Sequence, residues 1–275
     1  MKTILVPVDF SKKSKYATKL ASQIAKKTHA EIHLLHLVEL PRGIVDMASG
    51  SNFSIPSSMM YLRKVKEQIV RLQQEVIPKK IKVKYSIRFQ SPFEGIISYS
   101  EKFDVDLIVM GTKGVSEFDE IIIGSNTEKV VRTSKIPVIV VKKDNNNFQI
   151  KNLIFASNFK EEYKESFKIF LGFALFFKSK IHLLKVVTID KFESTYVSKK
   201  RIKKFIKNFQ LPKYSIHIYN DSSVAKGITS FAKEIDADLI AISTHGRSGL
   251  SSLFNTSVSK NLSKVAIRPV ATFKV

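Results

Sequence analysis

The property that most restricts how this chain folds is that it repeats itself. Glu31-Ile32-His33-Leu34-Leu35-His36-Leu37 returns as Lys180-Ile181-His182-Leu183-Leu184-Lys185-Val186, an offset of 149. At the same offset Ile4-Leu5-Val6-Pro7-Val8-Asp9-Phe10 lies over Leu153-Ile154-Phe155-Ala156-Ser157-Asn158-Phe159. Farther on, Asp104 to Gly111 lies over Asp236 to Ser243 at an offset of 132, which persists through Ile136-Pro137-Val138 over Arg268-Pro269-Val270. The drop from 149 to 132 gives the first copy 17 additional residues between its second and third strands. They fall between Pro41 and about Ser58, a stretch rich in Ser, Met, Gly and Pro that is expected to be a mobile loop or lid. A repeat of this length builds two similar units, and 275 residues leave room for two ordinary domains. The expected boundaries are 1–143 and 149–275, with the polar run Lys143-Asp144-Asn145-Asn146-Asn147 as linker.

Each copy alternates strand and helix. In the first, the Val- and Ile-rich runs Thr3–Val8, Glu31–Val38, Lys82–Phe89, Leu107–Met110 and Val138–Val141 read as strands covered on both faces. Helical patterns lie between them at about Ser11–Lys27, Met59–Ile77, Phe93–Phe103 and Ser125–Thr133. Alternation of this kind predicts an α/β protein: two doubly wound, Rossmann-like units in tandem, each a parallel sheet with helices on both faces.

Composition narrows the chemistry. Apolar residues make up 44% of the chain, enough for real cores, and the absence of Cys excludes disulfides, thiolate catalysis and Cys-based metal sites. The net charge of +22 raises the question of a polyanionic partner. The basic residues are scattered, however, and the densest run, Lys199 to Lys207, carries Ile202, Phe205 and Ile206 at helical spacing, as an amphipathic helix with a basic outer face would. Nucleic acid is not the expected partner. The start reads as a strand rather than a signal peptide. The longest apolar run, Ile169 to Phe177, is about half of the ~20 residues a membrane span needs and reads as a buried helix. A cytoplasmic protein without membrane association is expected.

The stretch that carries chemistry is Val109-Met110-Gly111-Thr112-Lys113-Gly114, continuing to Gly124-Ser125: a G-x2-G-x9-G-S pattern. Gly111 ends a buried strand, where glycine permits positive φ and bare backbone for a ligand to approach. Gly124-Ser125 opens the last helix, and Ser125 with Glu128 has the spacing of a capping box. Free amides at a helix start suit phosphate oxygens. Ligands of open parallel sheets bind beyond the carboxyl ends of strands where strand order reverses. That places Asp9, after Val8, near the hydroxyls of a nucleotide sugar; a turn or capping role before the first helix is the alternative. Lys113 either steadies phosphates or is simply solvated.

On these residues the chain resembles a tandem member of the universal stress protein family, over nearly all of both copies. Nucleotide-binding members carry G-x2-G-x9-G-[ST] after the fourth strand, an Asp ending the first and a small apolar residue on the second. Gly111, Gly114, Gly124, Ser125 and Asp9 match, and Leu37 takes the second-strand position, where a backbone contact to adenine is implied. Val8, Met110, Lys113 and Asn126 flank the matching positions. The resemblance implies five-stranded parallel sheets of order 3-2-1-4-5, and ATP as ligand, with ADP or AMP as alternatives and Mg²⁺ as companion. It also implies a role in binding and stress-response regulation, and pairing of two units through the last strand, within the chain or as a homodimer.

The second copy departs from the pattern. Asn158 stands for Asp9, Ser243 for Gly111, Thr256 for Gly124 and Lys260 for Glu128, while Gly246 and Ser257 remain. A β-branched Thr tolerates positive φ poorly and adds bulk, so weak or absent ATP binding is expected there. Thr244-His245-Gly246-Arg247 is left as a candidate for a different anion. His33 and His36 fall on opposite strand faces, which argues against a metal pair, and His182 repeats His33. Asp119 and Glu120 read as an exposed turn rather than Mg²⁺ ligands. No base is placed to activate water, so any phosphotransfer or hydrolysis should be slow. The competing classes are a slow ATPase and a nucleotide-free or polyanion-binding interaction protein.

Overall fold

The computed structural model describes residues 1–39, 55–112, 124–144, 148–244 and 268–274. The first half runs β1 (Thr3–Pro7), α1 (Lys12–Thr28), β2 (Glu31–Val38), α2 (Ile55–Val76), β3 (Val83–Phe89), α3 (Pro92–Lys102), β4 (Leu107–Gly111), α4 (Ser125–Thr133) and β5 (Val138–Val141). The second runs β6 (Asn152–Ala156), α5 (Lys164–Phe177), β7 (Lys180–Val187), α6 (Thr195–Ile206), β8 (Tyr214–Asn220), α7 (Val224–Glu234), β9 (Leu239–Thr244) and β10 (Val270–Lys274), with 3-10 turns at Glu161–Tyr163 and Ile189–Lys191.

The described strands form one sheet of order β3-β2-β1-β4-β5-β10-β9-β6-β7-β8. Within each half the pairing is parallel and the order is 3-2-1-4-5, so the second half mirrors the first. The halves join where β5 meets β10 antiparallel, through Val138–Thr272, Ile139–Ala271 and Val140–Val270. Pairing through the last strand is thus satisfied inside one chain.

Strand alternation divides the core in two. Ile4 and Val6 face α1 and α2, whereas Leu5 faces α3 and α4, and all three are fully buried. The first layer runs without a break from Ile4 through Ile139 and Ala271 to the phenylalanines of the second half. Phe155, Phe167 and Phe170 pack there with ring centroids 4.7–5.6 Å apart. The basic run behaves as its spacing predicts, with Ile202, Phe205 and Ile206 buried on α6.

Two expectations are corrected. Helix α2 begins at Ile55, inside the stretch assigned to a loop through Ser58; Pro56 lacks an N–H and suits a first turn. Residues 40–54 of that expected loop lie outside the described residues, as do Asn145–Asn147 of the linker. The apolar run Ile169–Phe177 is a half-buried helix rather than a buried one: Phe170, Leu171, Phe173 and Ala174 are covered, but Ile169, Leu175 and Phe176 are exposed. Among the described residues no helix is long and apolar enough to cross a membrane.

Candidate functional site

β1 hands the chain to α1 through Val8, Asp9, Phe10 and Ser11, and local hydrogen bonds hold that turn. Asp9 Oδ1 accepts the Ser11 N–H at 3.0 Å, and the Ser11 hydroxyl caps α1 by accepting the Ser14 N–H at 3.2 Å. Phe10 adopts a left-handed φ of 62°, an unfavourable conformation for an aromatic residue, and its ring packs 4.7 Å from that of His36. His36 donates from Nδ1 to the Val8 carbonyl at 2.8 Å. Asp9 takes the alternative turn role with one oxygen and remains exposed at the end of β1.

β4 ends beside it at Gly111. The reason for glycine is not a positive φ, which no described glycine adopts. A Cβ at Gly111 would lie 2.7 Å from the backbone carbon and oxygen of Lys13, so the first turn of α1 requires the bare backbone. Gly124 has φ −57° and ψ 142°, open to any residue, so the case against Thr256 rests on bulk alone. Gly124, not Ser125, is the N-cap of α4; the capping box does not form, and Glu128 lies 3.8 Å from Arg132 instead. With Ser125 at the first helical position, its hydroxyl is not spent on a cap. The helix start is pinned to the strand end by Thr127, whose hydroxyl donates to the Gly111 carbonyl at 3.0 Å.

These elements enclose a pocket of about 350 Å³ over the carboxyl ends of β1, β2 and β4, near the lower end of the range for small-molecule sites. Val8, Asp9, Leu37, Met110, Gly111, Gly124, Ser125 and Asn126 all line it. Lys113 and Gly114 lie outside the described residues, as do Asp119 and Glu120. β2 outruns β1, since its last partner there is Leu35, so Leu37 has β3 on one flank and the pocket on the other. Its side chain reaches α3, where a Cβ on Gly95 would stand 2.3 Å from Leu37 Cδ2. Sequence reasoning missed Ser11, Ser14, Pro92, Ile96, Thr112 and Thr127 as pocket residues. Pro92 and Ile96 share one face at i, i+4, and Thr127 follows the motif by two positions, but neither signal separates a lining residue from a packed one.

His33, His182 and His217 are packed, whereas His29 is exposed at the end of α1. His33 Nδ1 contacts the Tyr99 hydroxyl at 3.1 Å, and His182 lies 3.2 Å from His217 and 3.3 Å from Asn152. Among the described residues no group of His, Asp and Glu is arranged to hold a metal. In the second half, Asn158 repeats the Asp9 turn by accepting the Lys160 N–H at 3.2 Å. Ser243 lies 2.8 Å from the Ser166 hydroxyl, where the 3-10 turn Glu161–Tyr163 precedes α5. Thr256, Lys260 and the segment His245–Arg247 lie outside the described residues.

The chain is similar to known proteins in the way this geometry suggests. The model of the universal stress protein family matches residues 1–142 and 190–274. Two universal stress proteins of Methanocaldococcus jannaschii are 32% and 31% identical, each over 52% of this chain and over 82% and 96% of their own lengths. A universal stress protein structure from Archaeoglobus fulgidus shares the fold with a TM-score of 0.74 at 22% identity, covering 99% of this chain and 98% of that one. A putative universal stress protein from Pseudomonas aeruginosa does so at 0.64 and 16% identity, covering 100% and 93%. Matched by the family model across both halves, and by whole-length neighbours in fold, the chain belongs to the universal stress protein family.

Proposed function

We propose that the first half binds an adenine nucleotide, MgATP being the expected species and ADP or AMP the alternatives, and that occupancy serves regulation. One observation carries this reading: a carboxylate, a bare strand end and a helix start converge on one pocket. Asp9 supplies an acceptor for sugar hydroxyls. Gly111 and the first turn of α4 supply backbone N–H groups and the positive end of a helix dipole for phosphate oxygens. Leu37 and Met110 provide an apolar flank for a base. Among the described lining residues Asp9 is the sole acid or base, and one of its oxygens is held by Ser11. Binding rather than turnover is therefore expected.

Calorimetric titration with MgATP should give one site per chain, because Asn158 and Ser243 leave the second half without the carboxylate and the bare strand end. Two sites would refute that part of the reading, and no binding would refute the whole. Gly124→Val should reduce affinity at least a hundredfold while the unfolding midpoint stays near that of the parent, since the Gly124 backbone suits valine. Unchanged affinity would place the nucleotide elsewhere.

A further inference from the structure

The second half has its own cavity, of about 840 Å³, over the carboxyl ends of β6, β7 and β9. Its apolar wall repeats the first-half pocket: Leu184 stands for Leu35, Val186 for Leu37, Ile228 for Ile96 and Ile242 for Met110. Its charge does not. Lys160, Lys185, Lys191 and Arg201 line it against Asp190 and Glu193.

Lys185 occupies the position of His36 and is only 7% exposed. Its ammonium donates to the Ser198 hydroxyl at 3.1 Å and pairs with Glu193, which also pairs with Arg201 and accepts the Ser198 hydroxyl at 2.8 Å. Two cations thus share one carboxylate. Burial, and secondarily the Arg201 charge, push the Lys185 pKa down to about 8, so at neutral pH the ammonium stays mostly protonated at a cost. Lys185 and Glu193 balance each other under cover, while Arg201, 41% exposed, leaves the net positive charge at the open side of the cavity, where it attracts an anion. The fold does not demand this arrangement, since a histidine serves at the matching place in the first half. At the rim, Phe192 lines the cavity yet is 81% exposed, and Ile189 and Tyr196 nearby in the chain are 91% and 74% exposed.

We propose that the second half binds an organic anion with an apolar body, its acid group drawn to Lys185 and Arg201 and its apolar part lying along Val186 and Phe192. The cavity is then a second ligand site of different chemistry from the first, not a decayed copy of it. It stands independently of the nucleotide reading.

Octanoate, octanamide and inorganic phosphate, titrated into the full chain with and without saturating MgATP, test the idea. Octanoate should bind at one site per chain, at least tenfold more tightly than the amide, which lacks the charge, and than phosphate, which lacks the apolar body. MgATP should not compete. Lys185→Met should weaken octanoate at least tenfold and leave the MgATP titration unchanged. Phe192→Ser, at an exposed position that cannot disturb the core, should weaken octanoate about fivefold. Failure of octanoate to bind, equal binding of the amide, competition by MgATP, or indifference to Phe192→Ser would each overturn the proposal.

Discussion

His182 shows how a residue's role follows from its surroundings rather than its type. It lies in β7 at 4% exposure, against His217 and near Lys180. Burial first, then the charges of His217 and Lys180, lowers its pKa from 6.5 to about 4. The His217 pKa is lowered as well, by burial and then by Lys180. Below pH 6.5 the unfolded chain therefore takes up a proton at His182 that the folded chain refuses. Stability is fully present above about pH 6.5 and is lost as pH falls toward 4, by on the order of 3 kcal/mol for His182. Urea midpoints at pH 7, 5.5 and 4.5 should show this decline, and His182→Gln should remove much of it while leaving the part owed to His217. An equal decline in the variant would assign the effect to other groups. The equivalence of His182 to His33 was legible in the repeat. The environment was not, because His33 meets Tyr99 whereas His182 meets His217, a partner supplied by β8 and separated by 35 positions.

At the scale of elements, strand and helix identity was readable throughout the first half because buried parallel strands and amphipathic helices write different periodicities. β2 and β5 were read to the residue. Boundaries set by capping were less readable. Ser125 and Glu128 have the right spacing for a capping box, but the helix takes Gly124 as its N-cap, and a spacing alone does not say which residue stands outside the first turn. Of the two properties expected of Gly111, the positive φ is absent, while the bare backbone is present at the pocket and also makes room for α1. That account makes unequal predictions for the two copies. Gly111→Ala forces a Cβ against the Lys13 backbone and should cost about 1–3 kcal/mol. Ser243→Gly loses a hydroxyl contact with Ser166 and should cost about 1 kcal/mol or less. Denaturant titrations of the pair check it, and equal costs would refute the helix-approach explanation.

The whole molecule is one sheet because β5 and β10 solve a problem for each other. β5 is buried along its entire length, Val138 to Val141, and without β10 it would present an unpaired apolar edge. Beyond the three strand pairs, the Thr272 hydroxyl donates to the Val138 carbonyl at 3.3 Å and the Lys274 ammonium to the Thr133 carbonyl at 2.9 Å. On the helix side, Gln23 of α1 accepts the Phe148 N–H at 3.2 Å, and the first core layer contains residues of both halves. Neither half can open this edge without exposing the other's core, so the chain should unfold in one cooperative transition, with calorimetric and van't Hoff enthalpies in agreement. Ala271 sits at the centre of the junction opposite Ile139 and is fully buried. Ala271→Asp would place an unpartnered carboxylate there, at a cost of several kcal/mol, and should split the single calorimetric transition into two. Ala237→Asp carries the same chemical change at a fully buried position of the second half that is not itself in β10. It should lower the midpoint without producing two separate transitions of native-like halves. If both variants unfold in a single transition, the cooperativity does not reside in the β5–β10 pair but in the shared helix layer, and the packing of α1 against the second half becomes the element to cut.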